Sequence, residues 1–152
     1  MTSPNIFTLE VSEGAISRIT HLKPESTPLW GKMTVDQMLA HCCVAYEMVY
    51  ENIHPKPNFF KQLMLRLFVK NLVVGPSPYP RNAPTAPAFK IVERKNFDYE
   101  QKRLIDYIRR TAALGIKEFE GKESNSFGKL SGDEWNTMFY KHLDHHLRQF
   151  NV

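Results

Sequence analysis

The chain is poor in cysteine and has no long apolar run. Its 152 residues include two cysteines, Cys42 and Cys43, which are adjacent. Neighbouring cysteines can bridge only in a strained ring, so we exclude a disulfide framework and expect two reduced, buried thiols. No stretch approaches the ~18 apolar residues of a membrane span, and the first ten residues lack a basic start and an apolar segment. We therefore expect no signal peptide, no membrane partner and a cytoplasmic location.

A strong excess of one charge is also missing. The chain has 20 Lys and Arg against 16 Asp and Glu, a net charge of +4. Because the two signs are interleaved, we see no basic stripe for nucleic acid, and nucleic acid is not an expected partner. The length suits one domain, which we place over residues 1–152.

Apolar residues recur at helical spacing in five segments, which cover residues 11–22, 34–53, 59–74, 97–114 and 131–150. The motifs TVDQ (34–37) and SGDE (131–134) fit capping boxes and begin two of these helices. Five prolines in residues 75–87 exclude a helix there. We find no internal repeat and no convincing strand pair, and we expect residues 116–129 to be a loop. The predicted fold class is all-α: a bundle of four main helices with an extra helical segment and a proline-rich loop.

Three of the six histidines lie within five residues of the last predicted helix. On a helical wheel His142 and His146 lie within an apolar stripe that includes Trp135 and Phe139, and His145 lies at its edge. An i, i+4 pair of imidazoles on one face is the spacing by which a helix chelates a transition metal. A hydrogen-bonded pair in the core, or a solvated pair at a cleft edge, is the alternative.

A third histidine, His41, follows the start of the second predicted helix. If the two helices are neighbours, His41, His142 and His146 form a three-histidine metal site with an open coordination position, which is typical of catalytic centres. We expect His145 to lie outside the ligand set, on the surface or beside the ligands, as an exposed imidazole. Gln149 is expected either to orient a ligand or to cap the helix end.

Two segments resemble a known family. They read WGKMTVDQMLAHC (30–42) and FGKLSGDEW (127–135), the second continuing as YKHLDHHLRQF (140–150). In their order and spacing they resemble the DinB/YfiT-like superfamily of metal-dependent helical bundles, in a branch without an assigned function. The resemblance implies an up-down-down-up four-helix bundle along almost the whole chain.

The resemblance also implies a ligand set and an ion. One histidine of the second helix and an HxxxH pair of the last helix bind a divalent ion in that family, and His41, His142 and His146 stand at the matching positions. Nickel or zinc is the expected ion, with iron and manganese as alternatives. Relatives often have a small residue and then glutamine after the last ligand. This chain keeps the glutamine as Gln149 but has no glycine between His146 and Gln149.

Proteins that this chain resembles include thiol transferases and a thiol-dependent isomerase. The implied substrate is therefore a small molecule, and the implied reaction transfers a low-molecular-weight thiol, activated at the metal, to an electrophile. Metal-assisted hydrolysis ranks second, because no general base is evident near the ligands. The alternative from another class is a non-catalytic bundle that forms a homodimer or binds a partner through residues 59–74. Whether the chain is an enzyme, and which residues would be catalytic, stays open.

Overall fold

Long helices make up most of the structure, a computed structural model that describes residues 3–152. In chain order the elements are α1 (Leu9–Thr20), α2 (Val35–Tyr50), α3 (Phe59–Phe68), α4 (Lys70–Val74), a 3-10 turn (Pro87–Phe89), α5 (Phe97–Leu114), α6 (Ile116–Phe119), β1 (Glu123–Ser124), β2 (Gly128–Lys129) and α7 (Gly132–Gln149). Within these residues, none of the helices is both long and apolar enough to cross a membrane.

The four longest helices enclose one core. Helix α2 packs against α5 and α7, and α1 packs against the same two helices. Both cysteines are free and buried in this core, as expected. The predicted all-α bundle with an extra helical segment is thus confirmed, and the extra segment is α3 with α4.

A cluster of aromatic side chains fixes the rotation of α7 about its axis. The ring of Phe139 stacks on Tyr46 of α2, with centroids 4.8 Å apart, and on Trp135 at 5.4 Å. The ring of Phe119 meets Phe139 edge-on at 5.7 Å. Residues three and seven positions after Phe139 share its helix face, so this packing points His142 and His146 toward α2.

Both predicted helix starts carry the expected capping contacts. At the start of α7, Ser131 Oγ accepts a hydrogen bond from Glu134 N (3.2 Å), and Ser131 N donates to Glu134 Oε2 (3.0 Å). At the start of α2, Thr34 N donates to Gln37 Oε1 (3.0 Å). These contacts satisfy backbone N–H groups that have no partner inside the helix, and they fix where each histidine-bearing helix begins.

Two sequence-based expectations were wrong. The segment 59–74 is interrupted at Val69, whose φ of −112° departs from helical geometry, so it forms two helices. Residues 116–129, expected to be a loop, contain α6 and an antiparallel pair in which Glu123 faces Lys129. Strands of two residues are too short to show an alternating pattern in the sequence.

The carboxylate of Asp36, near the start of α2, ties the chain after the 3-10 turn to that helix. Its Oδ2 atom accepts hydrogen bonds from Lys95 N (2.7 Å) and Arg94 Nε (3.0 Å). Burial by itself would raise the pKa of this carboxyl, but these bonds outweigh it and lower the pKa to about 2.

Asp36→Asn is expected to lower the free energy of unfolding by about 2 kcal/mol at neutral pH. The folded pKa lies below the unfolded value of about 3.9, so the stabilisation is fully present above that value and is lost as pH falls toward 2. Urea denaturation at several pH values measures this. The exposed Asp106→Asn is the control and should change stability by less than about 0.5 kcal/mol. An unchanged acid dependence in Asp36→Asn would contradict the expectation.

Candidate metal centre

Helices α2 and α7 bring three imidazoles together. The Nε2 atoms of His41 and His142 are 2.9 Å apart, and the ring centroids of His41 and His146 are 4.5 Å apart. One nitrogen from each of the three rings lies within 4.8 Å of the other two. His41 and His146 are buried, and His142 is half-buried. The residues predicted from the sequence therefore form one cluster, called here the three-histidine centre.

The ring of His41 is held by a backbone carbonyl. Its Nδ1 atom lies 2.8 Å from the carbonyl oxygen of Phe89, in the 3-10 turn. A carbonyl oxygen only accepts, so Nδ1 carries the proton and donates. The Nε2 atom of His41 then presents a lone pair toward His142.

The ring of His146 is held by the side chain of Gln149. The Gln149 amide donates from Nε2 to the carbonyl oxygen of Trp30 (2.7 Å), which turns its Oε1 toward His146. Nδ1 of His146 lies 2.8 Å from that oxygen and donates to it, so Nε2 again presents a lone pair. Of the two predicted roles for Gln149, the structure shows the contact that orients the ring.

Burial keeps the three imidazoles neutral. It lowers the pKa of His41 and of His142, and it lowers the pKa of His146 to about 3. Neighbouring imidazoles lower each value further, because a second positive charge close by is unfavourable. Imidazole ligates a metal in its neutral form, so all three rings are ready to bind at neutral pH.

The donor set fits a divalent transition metal ion. One nitrogen of each ring lies within 4.8 Å of the other two. The imidazoles of His41 and His146 each have Nδ1 fixed by a hydrogen bond, as ligating histidines usually do. The three-histidine centre can therefore hold an ion. Imidazole donors suit zinc, nickel, copper and iron alike.

An apolar cavity of about 590 Å³ adjoins the three-histidine centre. Its walls come from α2, α3, α4, α7, the chain before α5, and β1 with the turn that joins it to β2. They include Met33, Val49, Leu65, Val69, Phe89 and Met138. None of the described residues that line it is an aspartate or a glutamate. The cavity can thus enclose a small molecule with an apolar body beside the imidazoles.

The proline-rich segment (residues 75–87) forms part of that wall. Lys141 Nζ, on α7, donates to the carbonyl oxygens of Leu72 (2.7 Å), Gly75 (2.7 Å) and Ser77 (3.0 Å), which anchors the start of the segment. Burial lowers the pKa of Lys141 to about 8. The segment then carries the ring of Tyr79 to 6.5 Å from that of His142.

His145 lies outside the three-histidine centre, but it is not the exposed imidazole that the helical wheel predicts. Its ring is half-buried in the cavity wall, 5.6 Å from Trp30 and 5.7 Å from Tyr79, and 5.0 Å from the ring of His146. Burial lowers the pKa of His145. The difference arises because the chain before α2 and the proline-rich segment cover this flank of α7, which the sequence of α7 alone does not reveal.

The groups that act through the backbone cannot be identified from the sequence. The Phe89 carbonyl accepts from His41, and three further carbonyls accept from Lys141. The residue types around these carbonyls do not indicate either contact. Gly31 is a further case: its φ is +81°, and an added Cβ would lie 2.8 Å from Gln149 Nε2. A side chain there would disturb the contact of Gln149 with Trp30.

Gln149→Ala is expected to weaken metal binding about 10- to 100-fold, because the ring of His146 loses the partner that orients it. Competition with a chromophoric chelator measures the affinity. Gln101→Ala is the matched control. Gln101, on α5, also donates to a backbone carbonyl, that of Ile19 on α1, but neither residue belongs to the three-histidine centre. Equal metal affinities in the two variants would show that Gln149 does not position His146.

Comparison with known proteins gives one match. The model of a family described as protein of unknown function (DUF1569) matches residues 1–152. No curated protein and no solved structure matches the chain.

Proposed function

The chain belongs to the DUF1569 family, and from the geometry of its three-histidine centre we propose that it is a metal-dependent enzyme of the DinB/YfiT-like superfamily. The ion, nickel or zinc, is held by His41, His142 and His146. The reaction transfers a small thiol to an electrophile. The convergence of three neutral imidazoles beside an apolar cavity carries the proposal.

The residues of the chain supply positioning and an enclosed environment. Phe89 and Gln149 hold two of the rings so that their lone pairs converge. The apolar wall excludes water and accommodates the body of the substrate. A divalent ion bound there, with an open position, would lower the pKa of a thiol and stabilise the thiolate.

The absence of carboxylates from the described cavity wall favours thiol activation over hydrolysis, since hydrolysis needs a general base for water. Metal-assisted hydrolysis is the second candidate for one reason. His145 lines the same cavity, and its lowered pKa keeps the imidazole neutral and able to accept a proton.

Metal analysis of protein purified without a histidine tag tests the first step, and we expect one divalent ion per chain. In one reaction the metal-loaded protein is mixed with a low-molecular-weight thiol and an aromatic halide. In a separate reaction it is mixed with an activated ester and no thiol. We expect thiol consumption that His41→Ala abolishes. Protein free of metal would contradict the proposal, and ester hydrolysis without thiol consumption would favour the hydrolase.

A further inference from the structure

The stretch from Asn52 to Val92 is an exception to the interleaving of acidic and basic residues that holds in the rest of the chain. It contains no aspartate or glutamate but six basic residues, which are Lys56, Lys61, Arg66, Lys70, Arg81 and Lys90. The remaining residues hold 14 basic and 16 acidic side chains. The positive charge of the protein is therefore concentrated in the stretch that contains α3, α4 and the proline-rich segment.

Helix α3 within this stretch has no buried residue. The side chains of Phe59, Phe60, Leu67 and Phe68 are 83%, 70%, 66% and 72% exposed. Seven of the 13 large hydrophobic side chains that are exposed in the described part of the chain lie between Phe59 and Leu72. Monomeric proteins rarely expose so many large apolar groups in one place without a partner.

The exposed groups occupy one side of α3. At about 100° per residue, the six residues Phe59, Leu63, Leu67, Phe60, Met64 and Phe68 cover an arc of about 180°, called here the outer face of α3. Lys61 lies just beyond one edge of the arc and Arg66 just beyond the other; both are exposed. Leu65 points the opposite way and lines the cavity. An apolar arc with a basic residue at each edge is the pattern of a helix that lies in a membrane interface.

We propose that the outer face of α3 docks on an anionic lipid surface. Phenylalanine and leucine side chains enter the boundary of the acyl chains, and Lys61 and Arg66 reach the anionic headgroups. At about 1.5 Å per residue the ten-residue helix is about 15 Å long and lies in the plane of the surface rather than spanning it. This proposal departs from the sequence-based expectation of no membrane partner, which was drawn from the lack of a spanning segment; docking on a surface needs no such segment.

The charge distribution argues against a second copy of the chain as the occupant. A symmetric dimer through the outer face of α3 would bring two acid-free, basic stretches together, and like charges at an interface are unfavourable. Of the basic residues on α3 and α4, Lys70 pairs with Glu134 of α7, whereas neither Lys61 nor Arg66 has a salt bridge within residues 3–152. The Arg66 guanidinium lies beside Gly128 of β2. Because no ion pair holds either residue, both side chains are long enough to turn toward lipid phosphates or carboxylates.

Flotation of the full chain with vesicles tests the proposal. We expect binding to phosphatidylcholine vesicles that contain phosphatidylserine, little binding to phosphatidylcholine alone, and loss of binding as salt rises from about 0.1 M to about 1 M. Leu67→Glu should weaken binding about tenfold or more, because a charge replaces an inserted apolar group. Lys61→Gln and Arg66→Gln should each weaken it about fivefold.

Leu9→Glu is the matched control, because Leu9 is 75% exposed but lies on α1, outside the basic stretch. This variant should bind vesicles as well as the unchanged protein does. Far-UV circular dichroism verifies that each variant is folded. No binding to anionic vesicles, equal weakening by both glutamate variants, or a dimer that Leu67→Glu converts to monomer would each overturn the proposal. Metal content is measured on the same samples and should not change. The membrane-docking proposal and the metal-centre proposal are therefore tested independently of each other.

Discussion

His41→Ala, His142→Ala and His146→Ala are each expected to weaken metal binding more than about 100-fold, a loss larger than that from removing a residue that only positions a ligand. Each substitution removes one of three converging nitrogen donors. The helical fold should persist in all three variants, because the aromatic cluster around Phe139 and the apolar core hold the bundle without the ion.

Metal affinity by competition with a chelator, together with far-UV circular dichroism, checks this expectation. His145→Ala is the matched control: its ring is 5.0 Å from that of His146, yet it contributes no atom to the three-histidine centre, so this variant should retain near-native affinity. Loss of metal in His145→Ala with retention in His146→Ala would mean that α7 is rotated relative to the structure.

Phe139→Ala is expected to lower the free energy of unfolding by about 3–5 kcal/mol. The ring is 1% exposed and packs against Tyr46, Trp135 and Phe119, so its removal leaves a cavity that rigid aromatic neighbours fill poorly. The loss is among the largest that a single substitution can cause in a domain of this size.

Urea denaturation measures the effect, and Phe60→Ala is the matched control. Phe60 is 70% exposed on α3, so its replacement should change stability by less than about 0.5 kcal/mol. Because Phe139 lies one turn before His142, Phe139→Ala should also weaken metal binding, whereas Phe60→Ala should not. A stable Phe139→Ala protein would show that the aromatic cluster does not hold α7 in place.

Much of the fold was predictable because its determinants are local. A capping box depends on two side chains three residues apart, and this was enough to fix the starts of α2 and α7. The face shared by His142 and His146 follows from helical geometry alone. The hypothesis that His41 joins them required one further assumption, that α2 and α7 are neighbours, and the structure shows that they are in contact.

The sequence by itself determined the helical class, the helix starts and which histidines share a face, since each of these depends on residues within one or two helical turns. Tertiary structure alone decided what surrounds the histidines. The carbonyl that fixes His41 comes from Phe89, 48 positions along the chain. The segment that buries His145 is anchored by Lys141 through backbone oxygens more than 60 positions away. Backbone groups are the same at every residue, so their partners are set by how the helices pack and not by any local pattern of side chains.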